Sequence, residues 1–171
     1  VADLSAAPVS PPVADAAVTR TADVVLTVRT ADCLPVLMSD RAGTVVAVAH
    51  AGWRGLAAGV LEQTLSAMRV DANAVAAWLG PAIGPDAFEV GTDVWAAYCD
   101  HDAGAAQYFR PLREGKWMAD LAGLAKRRLM RAGVTSIAGG AWCTHTDAAR
   151  FFSYRRDPRA GRMALVAWLG A

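Results

Sequence analysis

Residues Thr30 to Gly55 read TADCLPVLMSDRAGTVVAVAHAGWRG. Two short runs of mostly apolar residues, Leu34–Ser39 and Thr44–Ala49, flank Asp40-Arg41-Ala42-Gly43. An early Asp and a closing Gly are turn residues, so the stretch predicts a β-hairpin. Cys33 stands just before the first strand and His50 just after the second. If Asp40–Gly43 closes a symmetric turn, Ser39 faces Thr44, Leu37 faces Val46 and Cys33 faces His50. Directly opposed residues of antiparallel strands have Cβ atoms roughly 4.5–5.5 Å apart on one face. Such a pair can chelate a metal or form a thiol–imidazole dyad. A glycine bulge at Gly43 would shift the register by one residue and turn the two side chains apart. Pro35 also interrupts the ladder. Zinc suits a thiolate with imidazoles, but a catalytic zinc takes three protein ligands and keeps a fourth position open. Spacing alone favours a buried structural cysteine and a hydrogen-bonded histidine.

His50-Ala51-Gly52-Trp53-Arg54-Gly55 joins the second strand to a helix expected over Gly55–Arg69, with Leu61, Leu65 and Met68 on one face. Glycines allow close backbone approach, and a helix N-terminus attracts anions. Arg54 adds a fork of donors suited to phosphate or carboxylate. The bland alternative is an arginine on a surface turn.

Working outward, Asp23–Arg29, Ala74–Leu79, Thr135–Trp142 and Met163–Trp168 read as strands, and Phe88–Val90 as a short one. Val13–Thr19 is expected to pack onto the domain after an extended entry broken at Pro11-Pro12. Thr92 is a candidate N-cap for a helix to about His101, and Lys116–Ala132 contains another, ended by Gly133. Strands alternate with helices, but the hairpin breaks a pure βαβ pattern. The fold class is therefore α+β or mixed α/β, with mixed sheets. One domain over residues 1–171 is expected. The other tryptophans (Trp78, Trp95, Trp117, Trp142 and Trp168) are expected in the core.

A second polar cluster is Cys143–Arg156. Phe151, Phe152 and Tyr154 suit stacking on a planar base, and Arg155 or Arg156 suits an anion. The alternative is a core aromatic pair with solvated arginines. His145 is a candidate third ligand, while Cys99 and His101 read as packing and surface residues.

Composition excludes some classes. With 54 % apolar residues the chain is no disordered segment. A net charge of +1 argues for neither nucleic acid nor a membrane surface as partner. No apolar run reaches the ~18 residues of a membrane span. Three cysteines do not make a disulfide scaffold, so a cytoplasmic location is expected.

Four segments, TADCLPV (30–36), AHAGWRG (49–55), LGPAIGPDAFEVG (79–91) and WCTHTDAARFFSYRRDPRAGRMA (142–164), resemble the YfiH-type family along essentially the whole chain. That family is described both as multicopper polyphenol oxidoreductase (laccase domain) and as purine nucleoside phosphorylase. The resemblance implies a layered sandwich of mixed β-sheets flanked by helices, like the catalytic domain of cytotoxic necrotizing factor. It implies a metal site, usually zinc, of one Cys and two His. Cys33 matches the ligand cysteine and His50 one ligand histidine. The third, in a Gln-Val-His-Gly motif, is expected upstream of Val1, so the chain is expected to be an N-terminally shortened family domain.

Four functions follow as expectations. The first is a zinc-dependent purine nucleoside phosphorylase acting on adenosine, inosine, guanosine and methylthioadenosine, with adenosine deaminase side activity. In it Arg54 and Arg155 hold phosphate, Phe152 stacks on the base, and Asp32 is the candidate general acid. The second is copper-dependent phenol oxidation, although three histidines are too few for a multicopper centre. The third is a metal-free hydrolase or amidase using Cys33 and His50, with peptidoglycan precursors as substrates. The fourth is a structural metal module. The enzyme readings expect a monomer or homodimer binding purine nucleoside and phosphate.

Overall fold

A computed structural model describes residues 1–10 and 12–170, so the break expected at Pro11 lies outside the described residues. In chain order the elements are β1 (Ala2–Leu4), β2 (Ala16–Thr19), β3 (Leu26–Thr30), β4 (Leu34–Asp40), β5 (Val46–Ala51), α1 (Trp53–Ala57), α2 (Val60–Met68), β6 (Val75–Leu79), β7 (Glu89–Gly91), α3 (Thr92–Cys99), β8 (Phe109–Arg113), β9 (Lys116–Ala119), α4 (Leu121–Arg131), β10 (Ser136–Gly139) and β11 (Met163–Ala167). A mixed sheet of order β1-β2-β5-β4-β6-β10 forms the centre, with β3–β11 and β7-β9-β8 as smaller antiparallel sheets. The fold is thus mixed α/β, its sheets flanked by helices.

Alternation along the hairpin explains the layering. Leu34, Val36 and Met38 of β4 and Ala47, Ala49 and Ala51 of β5 are all fully buried on the face that the helices cover. Alanines along β5 let α2 lie close, and Leu61, Leu65 and Met68 fill the remaining space. Val46 and Val48 point the other way and pack with Val24, Leu26 and Val28 beneath the β3–β11 pair. His50 falls on this second face, at the end of β5.

The hairpin closes differently from the symmetric turn expected. Asp40 N–H donates to the Val45 carbonyl at 3.2 Å, leaving a four-residue loop rather than a two-residue one. The cause is the Asp40 side chain. Its carboxylate accepts from Thr44 N–H (2.8 Å), Thr44 Oγ1 (2.6 Å) and Val45 N–H (3.0 Å). Ser39 therefore pairs with Val46, and Pro35, not Cys33, pairs with His50.

Other departures have local causes. The expected Gly55–Arg69 helix is two helices, because Gly59 adopts φ 90° between them. Lys116–Ala119 is a strand, and the helix after it starts at Asp120, whose carboxylate accepts from Gly123 N–H at 2.8 Å. Gly133, at φ 97°, does end that helix: its N–H donates to Met130 and that of Val134 to Leu129, a Schellman motif. Trp142 and Trp168 are 40 % and 57 % exposed, not core; Trp78, Trp95 and Trp117 are half-buried.

One polar contact ties the C-terminal loop to the hairpin. Asp32, at φ 87° in the turn before β4, accepts from Thr144 Oγ1 (2.6 Å), Ser153 Oγ (3.0 Å) and Arg155 N–H (2.7 Å). Thr144 and Ser153 are fully buried. Arg156 completes the tie by donating to the carbonyls of Thr144, His145 and Phe151.

Asp32→Asn leaves one donor facing donors, and is expected to destabilise the fold by about 3 kcal/mol in urea unfolding. Asp40→Ala is expected to remove about 2 kcal/mol at neutral pH. Burial raises the Asp40 pKa, but the bonds from Thr44 and Val45 outweigh this and hold it below the ordinary 3.8. The Asp40 contribution is then complete above the unfolded carboxylate pKa and disappears as pH falls through the lower folded value. Wild type and Asp40→Ala should therefore converge in stability toward the acid end of a pH series.

Candidate metal and anion site

The shifted register keeps Cys33 and His50 on one face. With Pro35 opposite His50 and Leu34 opposite Ala51, the next position opposite Cys33 is Gly52, and His50 lies diagonal to Cys33. Diagonal neighbours on a sheet remain within reach of longer side chains. Gly52 supplies the space between them. A Cβ there would lie 3.0 Å from Cys33 Sγ and 3.4 Å from His50 Cε1. The two donors therefore line a notch that any side chain at position 52 would fill. A soft thiolate and an imidazole beside such a notch fit a zinc or copper ion. Among the described residues, no cluster of three or more His, Cys, Asp or Glu side chains could hold a metal ion. His145, a candidate third ligand, is thus not brought into one.

Asp15 is the partner the hairpin alone does not reveal. Its carboxylate lies 3.3 Å from His50 Nδ1, and its carbonyl accepts from His50 N–H at 2.7 Å. A carboxylate on Nδ1 orients the ring and leaves Nε2 as the ligating nitrogen, the usual arrangement around a metal-bound histidine. Burial pushes the Cys33 thiol up; the charges of Asp32 and Asp15 add to this, and Arg162 opposes it.

Next to the notch is an open cleft of about 510 Å³ lined by Asp15, Arg29, His50 and Arg162, among others. Arg29 projects outward from β3 and is exposed. Arg54 is also exposed, its guanidinium 4.2 Å from the Trp53 ring centroid. Neither enters an ion pair among the described residues. The helix N-terminus expected to reinforce Arg54 is weak, because α1 has only five residues.

The other candidates lie elsewhere. Both terminal nitrogens of Arg155 donate to the Glu89 carbonyl at 3.2 Å, and its guanidinium sits 5.7 Å from the Phe88 ring centroid. These bonds tie Arg155 to β7, and Arg156 is tied in the same way to the C-terminal loop. Phe152 lies over Gly161 on the surface, 48 % exposed, in a separate cleft of about 380 Å³. Asp32 faces the C-terminal loop. The sequence reading named Cys33, His50 and Arg54; the structure adds Asp15, Arg29 and Arg162 as neighbours of His50 around the cleft. The only sequence signal for Arg29 was an arginine at an outward strand position.

A family model described as multi-copper polyphenol oxidoreductase laccase matches residues 1–170. A Xylella fastidiosa protein named purine nucleoside phosphorylase is 54 % identical over 97 % of this chain. Purine nucleoside phosphorylase YfiH of Escherichia coli is 54 % identical over 91 % of it. The chain spans 65 % and 64 % of the lengths of these two relatives. Among solved structures, a Neisseria meningitidis protein of the DUF152 family superposes with TM-score 0.91 at 54 % identity, covering 92 % of this chain and 65 % of its own. YfiH of Bacillus licheniformis superposes with TM-score 0.83 at 28 % identity, covering 91 % of this chain and 61 % of its own. With the family model, the relatives and the fold in agreement, the chain belongs to the YfiH-type, laccase-domain family.

Proposed function

We propose that the chain carries the metal-binding core of a purine nucleoside phosphorylase, with Cys33 and His50 as two ligands of a zinc ion. The observation that carries this is the notch over Gly52 beside a cleft flanked by arginines. The names of relatives at 54 % identity support the reaction class. When bound, zinc would supply Lewis-acid polarisation and lower the pKa of a bound water. Its third protein ligand would come from outside the described residues.

The residues divide the remaining work. In phosphorolysis a phosphate oxygen forms a bond to ribose C1′ as the C1′–N9 bond breaks, and the departing base takes up a proton. Arg29 and Arg162 flank the cleft where phosphate would sit, with Arg54 on the neighbouring turn. Asp15 positions His50 through Nδ1. Asp32, whose two oxygens already accept three hydrogen bonds, is assigned to holding the loop rather than to donating a proton. Adenosine, inosine, guanosine and methylthioadenosine are the proposed substrates, and adenosine deamination a side activity.

The thiol–imidazole hydrolase is the weaker reading, since burial opposes the free thiolate it needs. Copper-dependent phenol oxidation rests on the family description alone.

Elemental analysis of protein extended to its relatives' length should find about one zinc per chain, and each nucleoside should release free base only when phosphate is present. Cys33→Ser and His50→Ala should each lower kcat/KM by at least about a hundredfold and reduce zinc content. Arg29→Ala should raise the KM for phosphate about tenfold with little change in kcat. Asp15→Asn should weaken zinc binding by roughly tenfold. Zinc-loaded protein that turns over none of the four nucleosides would overturn the proposal.

A further inference from the structure

The inward face of β3 carries Leu26, Val28 and Thr30. Leu26 and Val28 pack into the smaller core, but the third inward position is a hydroxyl. Thr30 is only 3 % exposed, and its side chain makes no hydrogen bond among the described residues. Among these residues Glu62 Oε2 alone is a sealed-in polar side-chain atom without a partner, so the Thr30 hydroxyl is open to the space it faces.

That space is a slot of about 250 Å³ between the two sheets. Thr30, Met163 and Leu165 line it from the smaller sheet, Pro35 and Trp78 from the larger, and Phe151 from the C-terminal loop. Arg150, stacked 5.1 Å from the Phe151 ring centroid, stands at its mouth. Gly80 lets the far wall close up: a Cβ there would come within 2.7 Å of the Pro35 ring and 3.1 Å of the Trp78 ring. Apolar and aromatic walls with one unpaired hydroxyl suit a flat heteroaromatic ring, which stacks by its faces and hydrogen-bonds by its edge.

The slot also has the right neighbour. Pro35 is paired directly with His50, which places their Cβ atoms roughly 4.5–5.5 Å apart on one face. Cys33 is two residues from Pro35 on that face, about 6.6 Å along the strand. A substituent on a ring held against Pro35 therefore reaches the notch.

The geometry points to this slot as the base-binding subsite of the site proposed above, with the Thr30 hydroxyl on the edge of a purine and Phe151 and Trp78 against its faces. The choice of a purine rests on the phosphorylase reading; the slot itself does not. It also makes Phe151, rather than the exposed Phe152, the stacking residue.

Calorimetric titration with adenine, in chelator and without phosphate, separates the two ideas. Adenine should bind the chain. Thr30→Val, which suits an inward strand position and should leave thermal unfolding unchanged, should weaken binding roughly tenfold. Phe151→Ala should weaken it by a similar factor. Catechol, a phenol of comparable size, should bind far more weakly. No adenine binding at millimolar concentration, affinity unaltered in Thr30→Val, or catechol binding in place of adenine each overturns the subsite. Adenine binding that depends on Thr30, in a protein that fails to phosphorolyse nucleosides when zinc-loaded, keeps the slot and removes the phosphorylase. Phosphorolysis with a nucleoside KM unmoved by Thr30→Val does the reverse.

Discussion

The buried carboxylate of Asp32 is the constraint on which the site depends. A charge so placed must be fully hydrogen-bonded, and three donors from the C-terminal loop meet it. Satisfying Asp32 fixes where Thr144, Ser153 and Arg155 can lie. Arg156 then fixes the course of the loop from Thr144 to Phe151 through its carbonyls. The next residue toward the hairpin is Cys33. One side of the site and the aromatic wall of the inter-sheet slot are thus positioned by the same polar hub.

Much of this architecture was legible because it follows from short-range rules. Short apolar runs on either side of an Asp…Gly turn mark β4 and β5, a stripe of Leu61, Leu65 and Met68 marks α2, and Gly133 marks the end of α4. What was not legible depended on one side chain reaching a few residues further than the turn rule assumes. Asp40 captures Thr44 and Val45 and so lengthens the loop. Moving the pairing by an even number of residues preserves faces. The expected company of Cys33 and His50 therefore survived a wrong register, becoming diagonal rather than opposed. Gly52 is then the residue that matters, since it occupies the place opposite Cys33.

The rest of the site could not be read locally. Asp15, Arg29 and Arg162 come from three separate strand ends whose pairing is decided by packing, not by spacing. Arg155 and Arg156 looked like ligand-binding residues because arginines beside aromatics resemble an anion site. Backbone carbonyls already take donors from both: Glu89 of β7 from Arg155, and Thr144, His145 and Phe151 from Arg156. Trp142 and Trp168 were misplaced for a related reason: hydrophobicity alone does not say which face of a two-layered sheet is covered.

The tie at Asp32 also has a meaning in time. Its contacts join residues 112 to 123 positions apart, among the most distant in the chain. Closing such loops is entropically late, after local hairpins and helices have formed. The β4–β5 hairpin, with Cys33 and His50 already near each other, can assemble early from its own residues. The wall that shields them and shapes the slot waits for the opposite end of the polypeptide. Selectivity is therefore acquired after the bare donor pair, and an unfinished chain offers an open thiol and imidazole to any metal it meets.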